Sequence, residues 1–244
     1  MVTFGITPSR FTLPATSASL DRVTDFLCTV PLFRTLDRTA VRRFAEVTRE
    51  QRFAKGAVIV REGDPGDALF VVRSGEVKVV LIGDDGREVI LNVLGVGQHV
   101  GELALIDNQP RSAHVVATAP CTLLVLRRPD FRRQVETNPH VAWELMTELS
   151  KRLRQADSTI GSLVLLDVPG RVAKVLLEHA APDASGTLVR HLTHQTIAQM
   201  IGASRETVSR AMSEFQSKGL IAVHRRLVTI VDRAALEART RPRG

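Results

Sequence analysis

The feature that most constrains the fold is a glycine-rich stretch of short apolar runs in the first half of the chain. Nine of the sixteen glycines fall between Gly56 and Gly101. The apolar runs are each too short to be a helix, and turn residues separate them. They are Ala57–Val60, Ala68–Val72, Val77–Ile82, Val89–Leu94, Ala113–Thr118 and Thr122–Leu126. Short strands at even spacing predict an all-β sandwich, roll or barrel.

Helical patterns flank this β segment. Residues 1–20 have the composition of a poorly ordered tail, and Asp21–Val47 predicts two short helices separated at Pro31. Between His140 and Leu166 apolar residues recur in alternating steps of four and three, which is the a/d seam of a coiled coil. The seam is Ala142, Met146, Leu149, Leu153, Ala156, Ile160 and Leu163. It predicts a homodimer through 140–167, and a single amphipathic helix packed on its own domain is the alternative.

A boundary follows the long helix at Asp167-Val168-Pro169-Gly170, because a proline can begin a helix but cannot continue one. The sequence therefore predicts an α+β protein in four parts. These are a tail (1–20), a β domain preceded by short helices (21–139), a long helix (140–167) and a C-terminal domain (168–244).

The positive charge is concentrated behind that boundary. The chain has 33 basic and 26 acidic side chains, a net charge of +7. Residues 1–167 hold 21 basic and 20 acidic side chains (+1), and 168–244 hold 12 and 6 (+6). A basic domain joined to a neutral one predicts a polyanionic partner for the basic part.

Composition narrows the class of protein. Two cysteines cannot build a disulfide framework or a four-thiolate metal site, so a reducing cytoplasm is the expected compartment. No window approaches ~18 consecutive apolar residues, which predicts that the chain does not interact with a membrane. No iron–sulfur cluster or haem is expected either, and both cysteines are interpreted as packing residues.

The basic part contains a helix-turn-helix pattern. Thr193 is a good N-cap for a first helix, Gly202-Ala203 supplies a tight turn, and Ser204 caps a second helix. In such a unit the second helix enters the DNA major groove. Double-stranded DNA is therefore the predicted partner.

The second helix carries side chains that recognise bases. Arg205 and Arg210 can each donate two hydrogen bonds to guanine, and Glu206 can accept one from cytosine. Residues near the helix N-termini are suited to phosphate, and the basic tip of a following hairpin resembles the wing of a winged helix. The predicted DNA contacts are His194, Gln195, Ser204, Arg205, Glu206, Thr207, Ser209, Arg210, His224, Arg225 and Arg226.

Several segments together resemble the cyclic-AMP receptor protein / fumarate-nitrate regulator (CRP/FNR) family, over nearly everything from Leu20 to Leu236. They are Val30-Pro31-Leu32-Phe33, Glu62-Gly63-Asp64, Gly101-Glu102-Leu103-Ala104-Leu105, Pro110-Arg111-Ser112-Ala113, Leu166-Asp167-Val168-Pro169-Gly170-Arg171 and Ser204-Arg205-Glu206-Thr207-Val208-Ser209-Arg210. The resemblance implies a dimeric transcription regulator, not an enzyme, with a β-roll effector domain (21–139), a dimerisation helix (140–167) and a winged helix-turn-helix domain (168–244). Arg205 and Glu206 are similar to the cyclic-AMP receptor branch, whose half-site has a TGTGA-like core, and Ser209 is similar to the other branch.

The effector site is predicted around Gly101 and Arg111. A glycine lets the backbone approach an anion, Glu102 can accept a hydrogen bond from a ribose hydroxyl, and Arg111 supplies a forked cation for a cyclic phosphate. A structural Glu–Arg pair is the alternative interpretation. The predicted effector-site residues are Gly101, Glu102, Leu103, Arg111, Ser112, Ala113, Arg152 and Asp157.

The identity of the effector is less well specified. In the cyclic-AMP receptor branch that the chain resembles, two hydroxyl residues on the dimer helix contact adenine, and Ala156 and Asp157 occupy these positions. Ala156 cannot make that hydrogen bond, whereas Asp157 can accept one. Cyclic AMP is the expected ligand; cyclic di-GMP, or activity without a ligand, are the alternatives.

Two further hypotheses complete the set. Glycine-rich β-sandwiches include metal-dependent cupin enzymes, and His99, Glu102 and His114 are conceivable ligands, although they lack the closely spaced histidine pair of such sites. In the family, the segment corresponding to Pro182–Gly186 contacts RNA polymerase, so this enzyme is a possible partner by analogy.

Overall fold

The computed structural model describes residues 17–183, 186–189, 192–224 and 227–241. The first part of the chain comprises α1 (Ser17–Thr29), a 3₁₀ turn (Pro31–Phe33), α2 (Arg38–Val47), β1 (Arg49–Phe53), β2 (Val58–Val60), β3 (Ala68–Ser74), β4 (Val77–Ile82), β5 (Glu88–Leu94), β6 (His99–Val100), α3 (Glu102–Asp107), β7 (His114–Ala117), β8 (Cys121–Arg127) and α4 (Arg128–Thr137). It is followed by α5 (Pro139–Leu165), α6 (Val168–Glu178), β9 (Ala180–Asp183), β10 (Gly186–Val189), α7 (His194–Ile201), α8 (Arg205–Ser217), β11 (Ile221–His224), β12 (Leu227–Ile230) and α9 (Arg233–Ala238).

The chain divides into two compact units. The first contains Met1–Gly86 and Leu91–Ser150, and the second contains Arg87–Ile90 and Lys151–Gly244. Residues 1–16 of the predicted tail lie outside the described residues, and residues 17–20 belong to α1.

Two four-stranded sheets form the β-roll, with strand orders β1-β8-β3-β6 and β2-β7-β4-β5. Strand β3 shows how the first sheet is packed on both faces, because its side chains alternate between two cores. Leu69 and Val71 pack with the helices of this unit, whereas Phe70 and Val72 pack between the sheets. Each such side chain contributes about 1.5–3 kcal/mol by its burial. The predicted α+β architecture with an N-terminal β-roll is confirmed.

Strands β1 and β6 were not predicted from the sequence. β1 has the polar sequence Arg-Glu-Gln-Arg-Phe and no apolar alternation, and it forms by pairing antiparallel with β8. β6 is only two residues long and pairs with β3. Both strands owe their conformation to a distant partner, which a local pattern does not reveal.

The second unit has its own core around α6, α7 and α8. Phe215 and Leu176 are fully buried there, together with Ile197 and Val208. Asp167 caps α6, since its Oδ1 accepts a hydrogen bond from the Gly170 amide at 2.8 Å. A third sheet, ordered β11-β12-β10-β9, completes this unit.

The hairpin between α6 and α7 differs from the prediction. The sequence predicts a loop at Pro182–Gly186 and a strand at Leu188–Leu192, whereas the structure has strands at Ala180–Asp183 and Gly186–Val189. Residues 184, 185, 190 and 191 of these two predictions lie outside the described part of the chain. β10 begins as early as Gly186 because it pairs with both β9 and β12, and these two neighbours fix its register.

Candidate functional site

The backbone at Gly101 shapes the predicted phosphate site. Gly101 lies between β6 and α3 with φ of 95°, a left-handed conformation that favours glycine. A Cβ atom here would lie 2.5 Å from Nη1 of Arg111 and 2.9 Å from the carbonyl oxygen of Ala68. Glycine at this position therefore allows the arginine and the backbone of β3 to approach.

Arg111 is buried beside this glycine, with 6% of the residue exposed. Its Nη1 donates to the Gly101 carbonyl at 2.9 Å, and its Nη2 donates to the Ala68 carbonyl at 2.8 Å. The guanidinium also lies 5.7 Å from the ring centroid of Phe70, within cation–π range. These contacts fix the arginine head, which carries more N–H donors than the two carbonyls engage.

Burial lowers the pKa of Arg111, because desolvation disfavours the charged guanidinium. The carboxylate of Asp67 acts in the opposite direction, and the guanidinium of Arg128 lowers the pKa further. Glu102 is also close enough to favour the charged form, and it is only 2% exposed. A bound anion would stabilise the buried cation in the same way as these carboxylates do.

The other predicted effector residues are divided between the two units. Leu103 and Ser112, which follow Glu102 and Arg111 in the chain, are exposed, and Ala113, just before β7, is buried. Arg152 is half-buried and Asp157 is exposed on α5, both in the second unit. The structure thus brings together Gly101, Glu102 and Arg111.

Sequence reasoning missed the side chains and backbone that hold Arg111 in place. Gly66 packs so closely that a Cβ atom would lie 3.1 Å from Nε of Arg111 and 2.2 Å from Cβ of Ala104. The other residues beside the Arg111 guanidinium are Ala68, Phe70 and Arg128. The turn sequence Asp64-Pro65-Gly66 is the signal that marks the close approach.

In the second unit, α7 and α8 present the predicted DNA-binding face. Gly202 ends α7 with φ of 63°, and α8 begins three residues later. The apolar side of α8 is buried through Val208, Met212 and Phe215, whereas Arg205, Glu206 and Arg210 are exposed. Thr207 and Ser209 are half-buried.

Both helices begin with hydroxyl caps. Thr193 Oγ1 accepts from the Thr196 amide at 3.0 Å, and Ser204 Oγ accepts from the Thr207 amide at 3.2 Å. Arg210 Nη2 donates to Thr207 Oγ1 at 3.3 Å, which orients this guanidinium along the helix. The hydrogen bonds of Ser204 and Arg210 with Thr207 stabilise the first turn of α8.

Hydrogen bonds at the start of α8 lower the pKa of Glu206. Its own backbone amide and the hydroxyl of Ser204 hydrogen-bond the carboxylate and lower the pKa of Glu206 below its usual range. The nearby Arg205 and Arg210 act in the same direction. The side chain is thus a charged hydrogen-bond acceptor at neutral pH, as an interaction with a cytosine amino group requires.

The remaining predicted contacts lie at the ends of neighbouring elements. His194 is half-buried and Gln195 is exposed at the start of α7, and His224 is exposed at the end of β11. Arg225 and Arg226, predicted at the tip of the wing, lie outside the described residues. Strands β11 and β12 on either side of them pair antiparallel from Ile221 with Ile230 to His224 with Leu227.

The described ranges contain neither a metal-site cluster nor a membrane-spanning helix. No group of three or more His, Cys, Asp or Glu side chains in residues 17–183, 186–189, 192–224 and 227–241 has the arrangement of a metal site. Over the same part of the chain, no helix combines the length and apolarity that crossing a bilayer demands. Cys121 is buried, which raises the pKa of its thiol.

Two family models match the chain. The cyclic nucleotide-binding domain matches residues 50–138, and the Crp-like helix-turn-helix domain matches residues 170–239. The first range contains Gly101, Glu102 and Arg111, and the second contains Arg205 and Arg210.

Similar proteins cover most of the chain. The CRP-like cAMP-activated global transcriptional regulator of Mycobacterium tuberculosis is 32% identical over 222 residues, covering 89% of this chain and 99% of that protein. The cAMP-activated global transcriptional regulator CRP of Salmonella typhimurium is 31% identical over 185 residues, covering 73% of this chain and 88% of that protein. The solved structure of the c-di-GMP responsive global regulator CLP of Xanthomonas campestris is similar with a TM-score of 0.70 and 27% identity, covering 80% of this chain and 99% of that one.

These relatives are transcription regulators, which confirms the prediction of a regulator in place of an enzyme. They also confirm the family resemblance carried by the sequence motifs. The chain belongs to the CRP/FNR family of transcription regulators, with a cyclic nucleotide-binding domain followed by a Crp-like helix-turn-helix domain.

Proposed function

We propose that the chain is a cytoplasmic, homodimeric transcription regulator whose DNA binding is controlled by cyclic AMP. The observation that carries this proposal is the combination of two sites in one chain. A buried guanidinium at Arg111 faces the glycine backbone of a cyclic nucleotide-binding domain, and Arg205, Glu206 and Arg210 are exposed on one side of a DNA-binding helix.

The cyclic phosphate would be bound by Arg111 and Ser112. Arg111 supplies charge-assisted hydrogen bonds, which are shorter and stronger than neutral ones. Glu102 would accept a hydrogen bond from the ribose hydroxyl, with Gly101, Leu103 and Ala113 shaping the backbone around the sugar and phosphate. Arg152 and Asp157 are the proposed contacts from the dimerisation helix, where Asp157 would accept from the adenine amino group.

Cyclic di-GMP is the second candidate effector, supported by two observations. The similar regulator CLP of Xanthomonas campestris is c-di-GMP responsive. Ala156 offers no side-chain hydrogen bond where the cyclic-AMP receptor branch has a hydroxyl residue. DNA binding without any ligand is the third arrangement, in which the Glu102 and Arg111 charges would serve folding alone.

Dimerisation would use the apolar seam of α5. Met146, Leu153, Ile160 and Leu163 are between 47% and 64% exposed in the single chain, which is unusual for apolar side chains spaced in this way. A second copy of the same helix would cover them in an a/d interface. The interface is the segment 140–167.

The DNA target would be pseudo-palindromic because the dimer has two-fold symmetry. Half-sites with a TGTGA-like core are expected about 10–10.5 base pairs apart, so that both α8 helices enter the major groove on one side of the duplex. Base contacts are assigned to Arg205, Glu206, Ser209 and Arg210. Phosphate contacts are assigned to His194, Gln195, Ser204 and Thr207, and to the wing residues His224, Arg225 and Arg226. Contact with RNA polymerase through residues 182–186 is proposed by family analogy.

Isothermal titration calorimetry with cyclic AMP, cyclic GMP and cyclic di-GMP tests the effector assignment. We expect wild-type protein to bind cyclic AMP and Arg111→Ala to bind it at least tenfold more weakly, because a hydrogen bond to a charged group contributes about 1.5–3 kcal/mol. Arg132→Ala is the matched control, since its side chain is 80% exposed and forms an ion pair with Glu136, four residues along the same helix. Heat from cyclic di-GMP alone would support the second candidate, and no heat from any of the three would contradict the effector site.

A further inference from the structure

Arg128 is a second arginine beside the nucleotide site, and no motif of the sequence singled it out. It is the first residue of α4, and its guanidinium donates to three carbonyl oxygens of two distant segments. Nη2 donates to Ala104 at 2.8 Å and also to Gly66, and Nη1 lies 3.5 Å from the carbonyl of Leu105. One guanidinium thus joins the turn before β3 to the helix α3.

The backbone makes a second link at the same place. The Arg128 amide donates to the Asp67 carbonyl at 2.7 Å. The carboxylate of Asp67 forms an ion pair with the neighbouring Arg127. The Gly66–Asp67 turn is therefore held against the start of α4 by both the main chain and side chains.

The joined segments are the ones that enclose Arg111. Gly66 lies so close to Ala104 that a Cβ atom would be 2.2 Å from the alanine methyl, and 3.1 Å from Nε of Arg111. Gly101, at the start of α3, contacts the other end of the same guanidinium. A change in the spacing between the Gly66 turn and α3 would therefore move Arg111.

We propose that Arg128 is a positioning residue for the nucleotide: by bonding to both Gly66 and Ala104 it holds the two segments between which Arg111 binds the cyclic phosphate. This inference rests on the proposed function, since it concerns the affinity for a cyclic nucleotide. Arg128 acts through backbone carbonyls and does not itself contact the ligand.

Arg128 also lies at the start of the helix that precedes the proposed dimerisation helix in the chain. Helix α4 begins at Arg128, ends at Thr137 and is followed by α5 from Pro139.

Calorimetric titration of full-length Arg128→Met, Arg128→Lys and Arg132→Ala tests the proposal with cyclic AMP, or with whichever of the three nucleotides the wild type binds. Methionine keeps the length of the stem and removes the donors, so we expect at least a tenfold loss of affinity. Lysine can donate from one nitrogen to both carbonyls and should stay within about threefold of wild type. Arg132→Ala, on the exposed side of α4, should match the wild type.

A double-mutant cycle separates positioning from general stability. If Arg128 acts through Arg111, Arg128→Met should cost less than twofold in the Arg111→Lys background, because the interaction it supports is already weakened. An equal loss in both backgrounds would show that Arg128 acts independently of Arg111 and would overturn the proposal. Wild-type affinity in Arg128→Met would overturn it as well.

A folding control and the titration of wild-type protein distinguish the remaining outcomes. If Arg128→Met does not fold, as judged by circular dichroism, the same cycle is made with Arg128→Gln, whose shorter amide cannot span both carbonyls. Failure of wild-type protein to bind any of the three nucleotides contradicts the proposed function itself. If wild-type protein binds a nucleotide and Arg128→Met binds it with the same affinity, only the inference about Arg128 is contradicted.

Discussion

Arg111 donates a hydrogen bond of 2.9 Å to the carbonyl oxygen of Gly101, and the left-handed backbone of that glycine places the carbonyl within reach. The two residues are ten positions apart and belong to the two motifs from which a phosphate site was predicted. Their contact means that the glycine orients the cation as well as allowing close approach of the backbone.

Gly101→Ala should destabilise the fold and weaken nucleotide binding together. The new Cβ would lie 2.5 Å from Nη1 of Arg111, and alanine is strained at φ of 95°. We expect a loss of about 1–3 kcal/mol in the free energy of unfolding, measured by urea denaturation, and a loss of nucleotide affinity by calorimetry. Gly86→Ala is the control, because it has a φ of 77° but no atom within 4 Å of the added Cβ. Equal nucleotide affinity in both variants would contradict the geometric argument.

Ser204→Ala should raise the pKa of Glu206 toward its usual value. The folded pKa of Glu206 is depressed, so the stabilisation from its charged form is present above the ordinary glutamate pKa and is lost as pH falls through the folded value. An NMR titration of the glutamate side chains measures this shift. Ser213→Ala, at an exposed position of the same helix, should leave the Glu206 pKa unchanged. A Glu206 pKa that does not respond to Ser204→Ala would show that the hydroxyl contributes nothing.

Leu153→Glu should convert the proposed dimer to monomers. Leu153 is 64% exposed on the seam of α5, and a carboxylate at an a/d position would be buried without a partner in a paired helix. Sedimentation velocity should give a single monomeric species at micromolar protein concentration. Gln155→Glu introduces the same charge two residues away, where a helix presents nearly the opposite side, and should remain dimeric. A dimeric Leu153→Glu protein would place the interface elsewhere.

Arg205→Ala and Arg226→Ala should change DNA binding in different ways. Losing a base contact at Arg205 should reduce discrimination at one base pair by about 1–3 kcal/mol. Losing a phosphate contact at Arg226 should weaken all sequences alike and reduce the salt slope by roughly one. Fluorescence anisotropy with an operator and its single-base variants measures both effects. If both substitutions weaken every sequence equally, the assignment of α8 to base recognition is wrong.

Local chemistry made much of the fold predictable. Short apolar runs, glycine turns and the caps Thr193 and Ser204 determine their structures within a few residues of chain. The family motifs added the order of the domains. β1 was missed because its polar residues are held in a strand only by pairing with β8.

The candidate site was predictable in its residues but not in its arrangement. Glu102 and Arg111 were identified by the chemistry of their side chains and by the family resemblance. That Arg111 bonds to Ala68, 43 positions away, follows from the folding of β3 beside α3. The contact of Arg128 with Gly66, 62 positions away, has the same origin.

The most direct test of nucleotide-controlled DNA binding is the dissociation constant for a duplex with two inverted TGTGA-like half-sites, measured by fluorescence anisotropy with and without saturating cyclic AMP. Binding of the nucleotide must favour one arrangement of the dimer if it is to act as an effector. The account predicts that cyclic AMP lowers this constant at least tenfold for wild-type protein and leaves that of Arg111→Ala unchanged. An identical constant for wild-type protein in the absence and presence of cyclic AMP would contradict it.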